Sequence, residues 1–159
     1  MGRFSKVLIA VDFSEFTADV VEIGCRFARE YGAEVEIIHV VEEGFLLLDL
    51  DGMSLPAADL ESIRAAVESH KKVSSEKIAM LVDLAEKVAG KPVKGEVVEG
   101  YPSRTVVDEA ASRGADVIFV GSHGWSGIKR FLMGSVATSI VKHAKCSVMV
   151  VRQGQKENK

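Results

Sequence analysis

Short apolar runs alternate with longer amphipathic segments along the chain. Runs rich in Val and Ile are typical of strands covered on both faces, whereas apolar positions every three or four residues are typical of helices packed on a sheet. The predicted strands are Val7–Val11, Val35–Val41, Val93–Glu99, Asp116–Val120 and Ser147–Arg152. The predicted helices are Ser14–Tyr31, Asp59–Gly90, Pro102–Gly114 and Ser135–Lys145. This alternation predicts an α/β fold with a single doubly wound parallel sheet of five strands.

Capping residues mark the predicted helix ends. We expect Ser14 to cap the first helix, because its hydroxyl can accept a backbone N–H there. Gly32 is expected to end that helix in the left-handed conformation, and Pro102 suits the first position of the third helix.

Two segments lie outside this pattern. The stretch between the second strand and the second helix contains the apolar patch Phe45–Leu48. Loops of this length are usually functional or mobile, so the patch is expected to pack on the core, cover a ligand or meet a protein partner. The polar tail 153–159 is expected to be disordered, which leaves residues 1–152 as one domain.

Composition narrows the class of protein. A length of 159 residues and a net charge of −3 fit one globular domain and give no support for a nucleic-acid or membrane binder. Cys25 and Cys146 match no metal spacing and are expected to be reduced thiols. No apolar run reaches the length of a membrane span, and the N-terminus has no signal-peptide pattern, so the cytoplasm is the expected compartment.

The strongest chemical signal is the segment 121–135, which follows the fourth predicted strand. Its glycines stand at positions 121, 124, 127 and 134, and Ser135 starts the last helix. Glycine lets backbone N–H groups approach a ligand closely, and a helix start adds N–H donors with a partial positive charge. A doubly wound sheet binds ligands at this edge, so the segment indicates a phosphate site.

Other phosphate loops fit this segment poorly. A Walker motif requires a lysine before its Ser or Thr, but Met133-Gly134 stands before Ser135. The dinucleotide fingerprint is absent after the first strand, where Asp12-Phe13-Ser14 stands. No Ser-His-Asp or Cys-His arrangement can be placed from the sequence.

The spacing Gly121-x2-Gly124-x9-Gly134-Ser135 resembles the ATP-binding signature of the universal stress protein family. Four more segments are similar to family segments in the same order, and together the likeness covers about residues 4–152. These segments are Val7–Ser14, Ile38–Val41, Val98–Pro102 and Cys146–Val151. The family usually has proline where Ser147 stands.

The resemblance implies a Rossmann-like, adenine nucleotide alpha hydrolase-like sheet of order 3-2-1-4-5 with ATP across the ends of strands 1 and 4. It implies that Asp12 and Val41 contact adenine, with the backbone of Ala10 and Val11 nearby. Val40 is the alternative to Val41 if the register differs by one residue.

The same resemblance assigns the rest of the nucleotide. Gly121 and Gly124 are expected to line the ribose and phosphates, with Ser122 and His123 between them. Gly134, Ser135 and Val136 are expected to hold phosphates through N–H and hydroxyl groups. Magnesium or manganese would be held mostly by phosphate oxygens.

Several alternatives stay open at this point. Asp12 either contacts ligand or caps the first helix, and His123 contacts phosphate, acts as a base or is solvated. The function implied by the resemblance is nucleotide-dependent regulation in a stress response, by a homodimer joined through Val148–Val151 and acting on an unknown partner. The alternatives are a slow ATP hydrolase or adenylating enzyme, and a dimerisation module with a vestigial site.

Overall fold

A computed structural model describes residues 4–42, 56–123 and 133–152. In these ranges, helices and strands alternate as the sequence predicts. The helices are α1 (Thr17–Tyr31), α2 (Ala57–Ala89), α3 (Pro102–Arg113) and α4 (Ser135–His143). The strands are β1 (Lys6–Val11), β2 (Glu34–Val41), β3 (Lys94–Glu99), β4 (Val117–Gly121) and β5 (Ser147–Val151). The predictions for Phe45–Leu48, Gly124 and the tail 153–159 concern positions outside the described residues.

The strands form one parallel sheet in the order β3-β2-β1-β4-β5, which confirms the predicted fold class and strand order. Ile9 in β1 lies beside Ile37 in β2 and beside Phe119 in β4. After β1, the chain adds β2 and β3 on one side of this strand. It then crosses back and adds β4 and β5 on the other side. The carboxyl ends of β1 and β4 form the switch point where such sheets bind ligands.

Each face of the sheet is closed by its own pair of helices. α1 and α2 pack side by side on one face, and α3 packs beside α4 on the other. Ile9 and Phe119 point into the first core, and Leu8 and Ile118 into the second, all at most 1% exposed. Neighbouring residues of a strand point to opposite faces, so both faces of these central strands are apolar.

The helix ends differ in part from the predicted ones. Gly32 ends α1 with a φ of 69°, as predicted. The prediction that Ser14 caps this helix is wrong: α1 begins at Thr17, and no side chain caps it at Phe16. Ser14 belongs instead to a turn built on Asp12, whose carboxylate accepts the Ser14 N–H at 2.9 Å.

An ion-pair cluster ties the amino-terminal edge of the sheet to α3. Arg113 lies 2.7 Å from both Glu36 of β2 and Glu96 of β3, and Lys6 of β1 lies 3.3 Å from Glu36. Burial alone would raise the pKa of Glu36, but hydrogen bonds from Arg113 and Lys6 hold that pKa below its usual value. The cluster therefore keeps a buried carboxylate ionised between the strands and the end of α3.

No helix within the described ranges is both long and apolar enough to cross a membrane.

Gly24 lets α1 lie close to the sheet, and this predicts a large effect of a side chain there. A Cβ at Gly24 would lie 2.7 Å from Cδ1 of Ile9 and 3.3 Å from the ring of Phe119. We expect Gly24→Val to lower the free energy of unfolding by roughly 1–3 kcal/mol, as overpacked cores do. Urea unfolding measures this, with Ala18→Val at an exposed position of the same helix as control. Equal stabilities of the two variants would contradict the close approach.

Candidate functional site

The turn after β1 is held by the carboxylate of Asp12. Its Oδ1 accepts the Ser14 N–H at 2.9 Å and the Thr17 hydroxyl at 3.3 Å. Phe13 between them has a φ of 59°, in the left-handed region that side chains rarely adopt. Asp12 thus organises the turn before α1, through the backbone of Ser14 and the side chain of Thr17, and neither of these two bonds takes up a backbone N–H of the helix.

Phe13 packs against the core on the face of the sheet that α1 and α2 cover. Its ring lies 4.1 Å from the ring of His39, and Nζ of Lys77 in α2 lies 5.3 Å from its centre. Nδ1 of His39 is 2.8 Å from the carbonyl of Val11. Two sets of contacts therefore hold the strained turn. Asp12 holds it by hydrogen bonds at the carboxyl edge of the sheet, and Phe13 holds it by packing on His39 and Lys77 under α2.

The turn after β4 joins three elements. The N–H of Ser122 donates to the carbonyl of Val151 in β5 at 2.9 Å, and its carbonyl accepts the N–H of Gly134 at 2.6 Å. The Ser122 hydroxyl lies 2.9 Å from Nδ1 of His123. Nε2 of His123 is buried and has no hydrogen-bond partner within residues 4–42, 56–123 and 133–152. Backbone contacts thus hold Ser122 against Gly134, the residue directly before α4.

The start of α4 supplies N–H donors at this edge. The first helical hydrogen bond of α4 is made by the N–H of Thr138, which donates to the carbonyl of Gly134 at 2.9 Å. The amides of Ser135, Val136 and Ala137 come before it and have no acceptor inside the helix. These three amides give this end of α4 the partial positive charge that attracts anions. The amide of Gly134, in contrast, is used by Ser122.

The two turns and the start of α4 enclose a cavity of about 360 Å³, within the usual range for small-molecule sites. The cavity brings together most of the residues that the sequence and the resemblance single out. These are Ala10, Val11, Asp12, Val40, Gly121, Ser122, His123, Gly134, Ser135 and Val136.

One of the predicted site residues, Val41, is placed otherwise. Val41 is 2% exposed and is not among the residues that line the cavity, whereas its neighbour Val40 is. The reason is the alternation of side chains along β2, which sends Ile38 and Val40 to the face covered by α3 and α4. Gly124 lies outside the described residues.

The apolar floor of the cavity was missed by sequence reasoning. It is built from Ile38 and Val120 of the strands, from Pro102 and Val106 of α3, and from Ala137 and Ile140 of α4. Ser14, Phe16, Thr17 and Val20 complete one wall from the start of α1. The sequence did contain a signal for these residues. Near the switch point, the first turn of each helix that follows a strand opens onto the carboxyl edge, so its residues can line a cavity there.

The described residues contain no group of three or more His, Cys, Asp or Glu side chains that could hold a metal ion. The polar groups at the cavity are instead hydroxyls, an imidazole, the Asp12 carboxylate and backbone amides. The arrangement can bind a ligand that is apolar at one end and anionic at the other.

These features define the class: an α/β domain with an amide-rimmed, apolar-floored cavity at the switch point of a parallel sheet. The model of the Universal stress protein family matches residues 3–152. The chain belongs to the universal stress protein family, as its glycine spacing indicates.

Individual relatives agree with this assignment. Universal stress protein YxiE of Bacillus subtilis is 31% identical, over 94% of this chain and 99% of its own length. The structure of MJ0577 of Methanocaldococcus jannaschii has a TM-score of 0.80 and 26% identity, and the match covers 97% of this chain and 99% of that one.

Two further structures of universal stress proteins share the fold and contain nucleotides. One is in complex with cAMP, with a TM-score of 0.65 and 20% identity over 95% of this chain and 98% of that one. The other, from Archaeoglobus fulgidus, is in complex with dAMP, with a TM-score of 0.62 and 21% identity over 92% of this chain and 97% of that one.

The stack beside the site predicts a pH dependence. Burial lowers the pKa of His39, and it outweighs the opposing effects of the Val11 carbonyl and the Asp12 charge. In the unfolded chain, the His39 ring is expected to have the ordinary histidine pKa of about 6.5. The free energy of unfolding should therefore fall as the pH drops below about 6.5, and it should level off below the native pKa of His39. NMR titration of the ring measures the native pKa, and His39→Gln should remove this part of the pH dependence. A native midpoint at or above the ordinary value would contradict the account.

Proposed function

We propose that this protein binds ATP in the switch-point cavity and acts as a nucleotide-dependent regulator in a stress response. The observation that carries the proposal is the start of α4. Its amides at Ser135, Val136 and Ala137 lack intrahelical acceptors and stand at the rim of a cavity of nucleotide size. A triphosphate has many oxygens in a row and can accept hydrogen bonds from several such donors at once.

The other half of the cavity fits the base. Its floor of Ile38, Val106 and Ile140 offers apolar contact to a flat ring, and Asp12 and the backbone near Ala10 offer polar contact at its edge. In this proposal Val40 takes the position beside adenine, because it lines the cavity and Val41 does not. The cAMP and dAMP complexes of two relatives with this fold support an adenine nucleotide as the ligand class.

A divalent cation, Mg²⁺ or Mn²⁺, is part of the proposal because it accompanies ATP. Such hard cations take oxygen ligands and often keep several of their waters. We place the ion mainly on phosphate oxygens, with the exposed Ser135 hydroxyl as the protein group nearest to the phosphate end.

Regulation through a partner needs an interaction surface, and we propose a homodimer joined through β5. This strand is an edge of the sheet, and Met149 on it is 42% exposed. The other edge, β3, carries exposed charges at Lys94 and Glu96, which discourage strand pairing. The cytoplasm is the proposed compartment, where ATP is abundant and unpaired thiols such as Cys25 and Cys146 persist.

The proposal that ATP binds in this cavity is tested by adding a side chain at Gly134. A Cβ there would lie 3.2 Å from the carbonyl oxygen of Ser122, so a branched side chain must displace the start of α4 from the turn. We expect Gly134→Val to raise the Kd for Mg-ATP by about tenfold or more, a loss of about 1.4 kcal/mol. Calorimetry measures this, and Val141→Ala, at an exposed position of the same helix, is the control. Equal affinities of both folded variants would count against the site.

The dimer proposal is tested by placing a charge on β5. A lysine buried between two edge strands is costly, so Met149→Lys should shift the protein from dimer to monomer. Met80→Lys, at a position of α2 that is 72% exposed, should leave the dimer intact. Sedimentation velocity separates the species. A monomeric wild type, or a dimeric Met149→Lys variant, would overturn the proposal.

A further inference from the structure

His39 is a half-buried residue of β2 that contacts the turn after β1 but is not among the residues that line the cavity. Its Nδ1 is 2.8 Å from the carbonyl oxygen of Val11, and its ring lies 4.1 Å from the ring of Phe13. Since a carbonyl oxygen can only accept, Nδ1 carries the hydrogen of the neutral ring. The imidazole therefore contacts the residues on both sides of Asp12.

The same turn borders the cavity. Val11 and Asp12 both line it, and Oδ1 of Asp12 accepts the Ser14 N–H and the Thr17 hydroxyl. Phe13 has a φ of 59°, and a residue other than glycine keeps such a conformation only where its surroundings determine it. Three consecutive residues thus contact the ring of His39 on one side and border the cavity on the other.

The charges that act on the His39 ring come from the turn and from α2. Burial lowers the pKa of His39, and the charges of His70 and Lys77 on α2 also lower it, whereas the charge of Asp12 in the turn raises it. Nζ of Lys77 lies 5.3 Å from the centre of the phenyl ring that stacks on His39. On β3, the residue paired with His39 is the apolar Val97. A proton on the imidazole would therefore place a second cation in a half-buried stack that already holds one.

We propose that His39 is a positioning residue for the nucleotide site and that a proton on its ring loosens this site. The inference rests on the proposed function, because the site is the one in which ATP is placed. The neutral ring packs under the turn and holds Asp12 at the cavity. The charged ring is better solvated when the stack opens to water, and an open stack leaves the strained turn without part of its support. ATP therefore binds the chain with the neutral ring more tightly than the chain with the charged ring.

Linkage fixes the sign of the effect on affinity. The Kd for ATP should be lowest where His39 is neutral, and it should rise as the pH falls through the pKa of His39 in the ligand-free chain. By the same linkage, bound ATP should lower the pKa of His39 further, to an extent that matches the loss of affinity. Acidification thus weakens the occupancy of the cavity through a residue that does not line it.

NMR titration of the His39 ring in the full wild-type chain, with and without saturating Mg-ATP, tests the inference without any variant. We expect ATP to lower the pH midpoint of this titration. His143, on an exposed face of α4, is the internal control, and its midpoint should move much less. A His39 midpoint that bound ATP leaves unchanged or raises would overturn the inference.

Calorimetry of Mg-ATP binding at about pH 7.5 and about pH 5, on either side of the ordinary histidine range, gives a second readout. On acidification the Kd of the wild type should rise about threefold more than that of His39→Asn, because the asparagine amide can donate to Val11 but takes up no proton. Ionisation of the nucleotide itself is common to both proteins and cancels from this comparison.

A matched control exists on α4, where Nδ1 of His143 also lies 2.8 Å from a backbone carbonyl, that of Ser139. His143→Asn should keep the full rise in Kd of the wild type. Equal rises in the wild type and His39→Asn would overturn the positioning role and leave the proposed function intact. Absence of ATP binding at neutral pH would overturn the proposed function, and this inference with it.

Discussion

The pairing of β1 with β4 is the constraint on which the site depends. It sets Ala10 beside Val120 at the centre of the sheet, so the turns that follow, at Asp12 and at Ser122, emerge side by side. The connections from these two strands lead to opposite faces, and the space between them stays open as the cavity. Burial of Ile9 and Phe119 under one face and Leu8 and Ile118 under the other fixes this pairing. The hydrophobic effect that stabilises the sheet therefore also positions the polar groups.

The turn after β1, at the edge of the cavity, carries local backbone strain. Phe13 adopts a left-handed conformation, and such outliers typically cost about 1–3 kcal/mol and persist only when the surroundings determine them. Here the surroundings are the hydrogen bonds of Asp12 to the start of α1 and the stack of Phe13 on His39. The same turn presents the carboxylate to the cavity and anchors its backbone in the core. Direct contacts therefore join the carboxylate at the cavity to the packing beneath α2.

Much of the fold could be predicted from the sequence, because buried parallel strands leave near-continuous apolar runs and the helices alternate with them. The rim residues Asp12, Gly121 and Ser135 could be identified from the sequence because each stands where a strand ends or a helix starts. The choice between Val40 and Val41 could not be made from the sequence, since it depends on which face of β2 the cavity opens to. The bond between Ser122 and His123 was also hidden, because side-chain rotamers leave no trace in residue spacing.

The central claim is that an adenine nucleotide binds between the ends of β1 and β4 and the start of α4. The most direct measurement is an amide NMR titration of the full chain with Mg-ATP. The account predicts that the largest shift changes fall on residues 10–12, 121–123 and 134–137, with small changes at β3 and the second half of α2. Saturable changes that cluster away from these residues, or none at millimolar nucleotide, would contradict it.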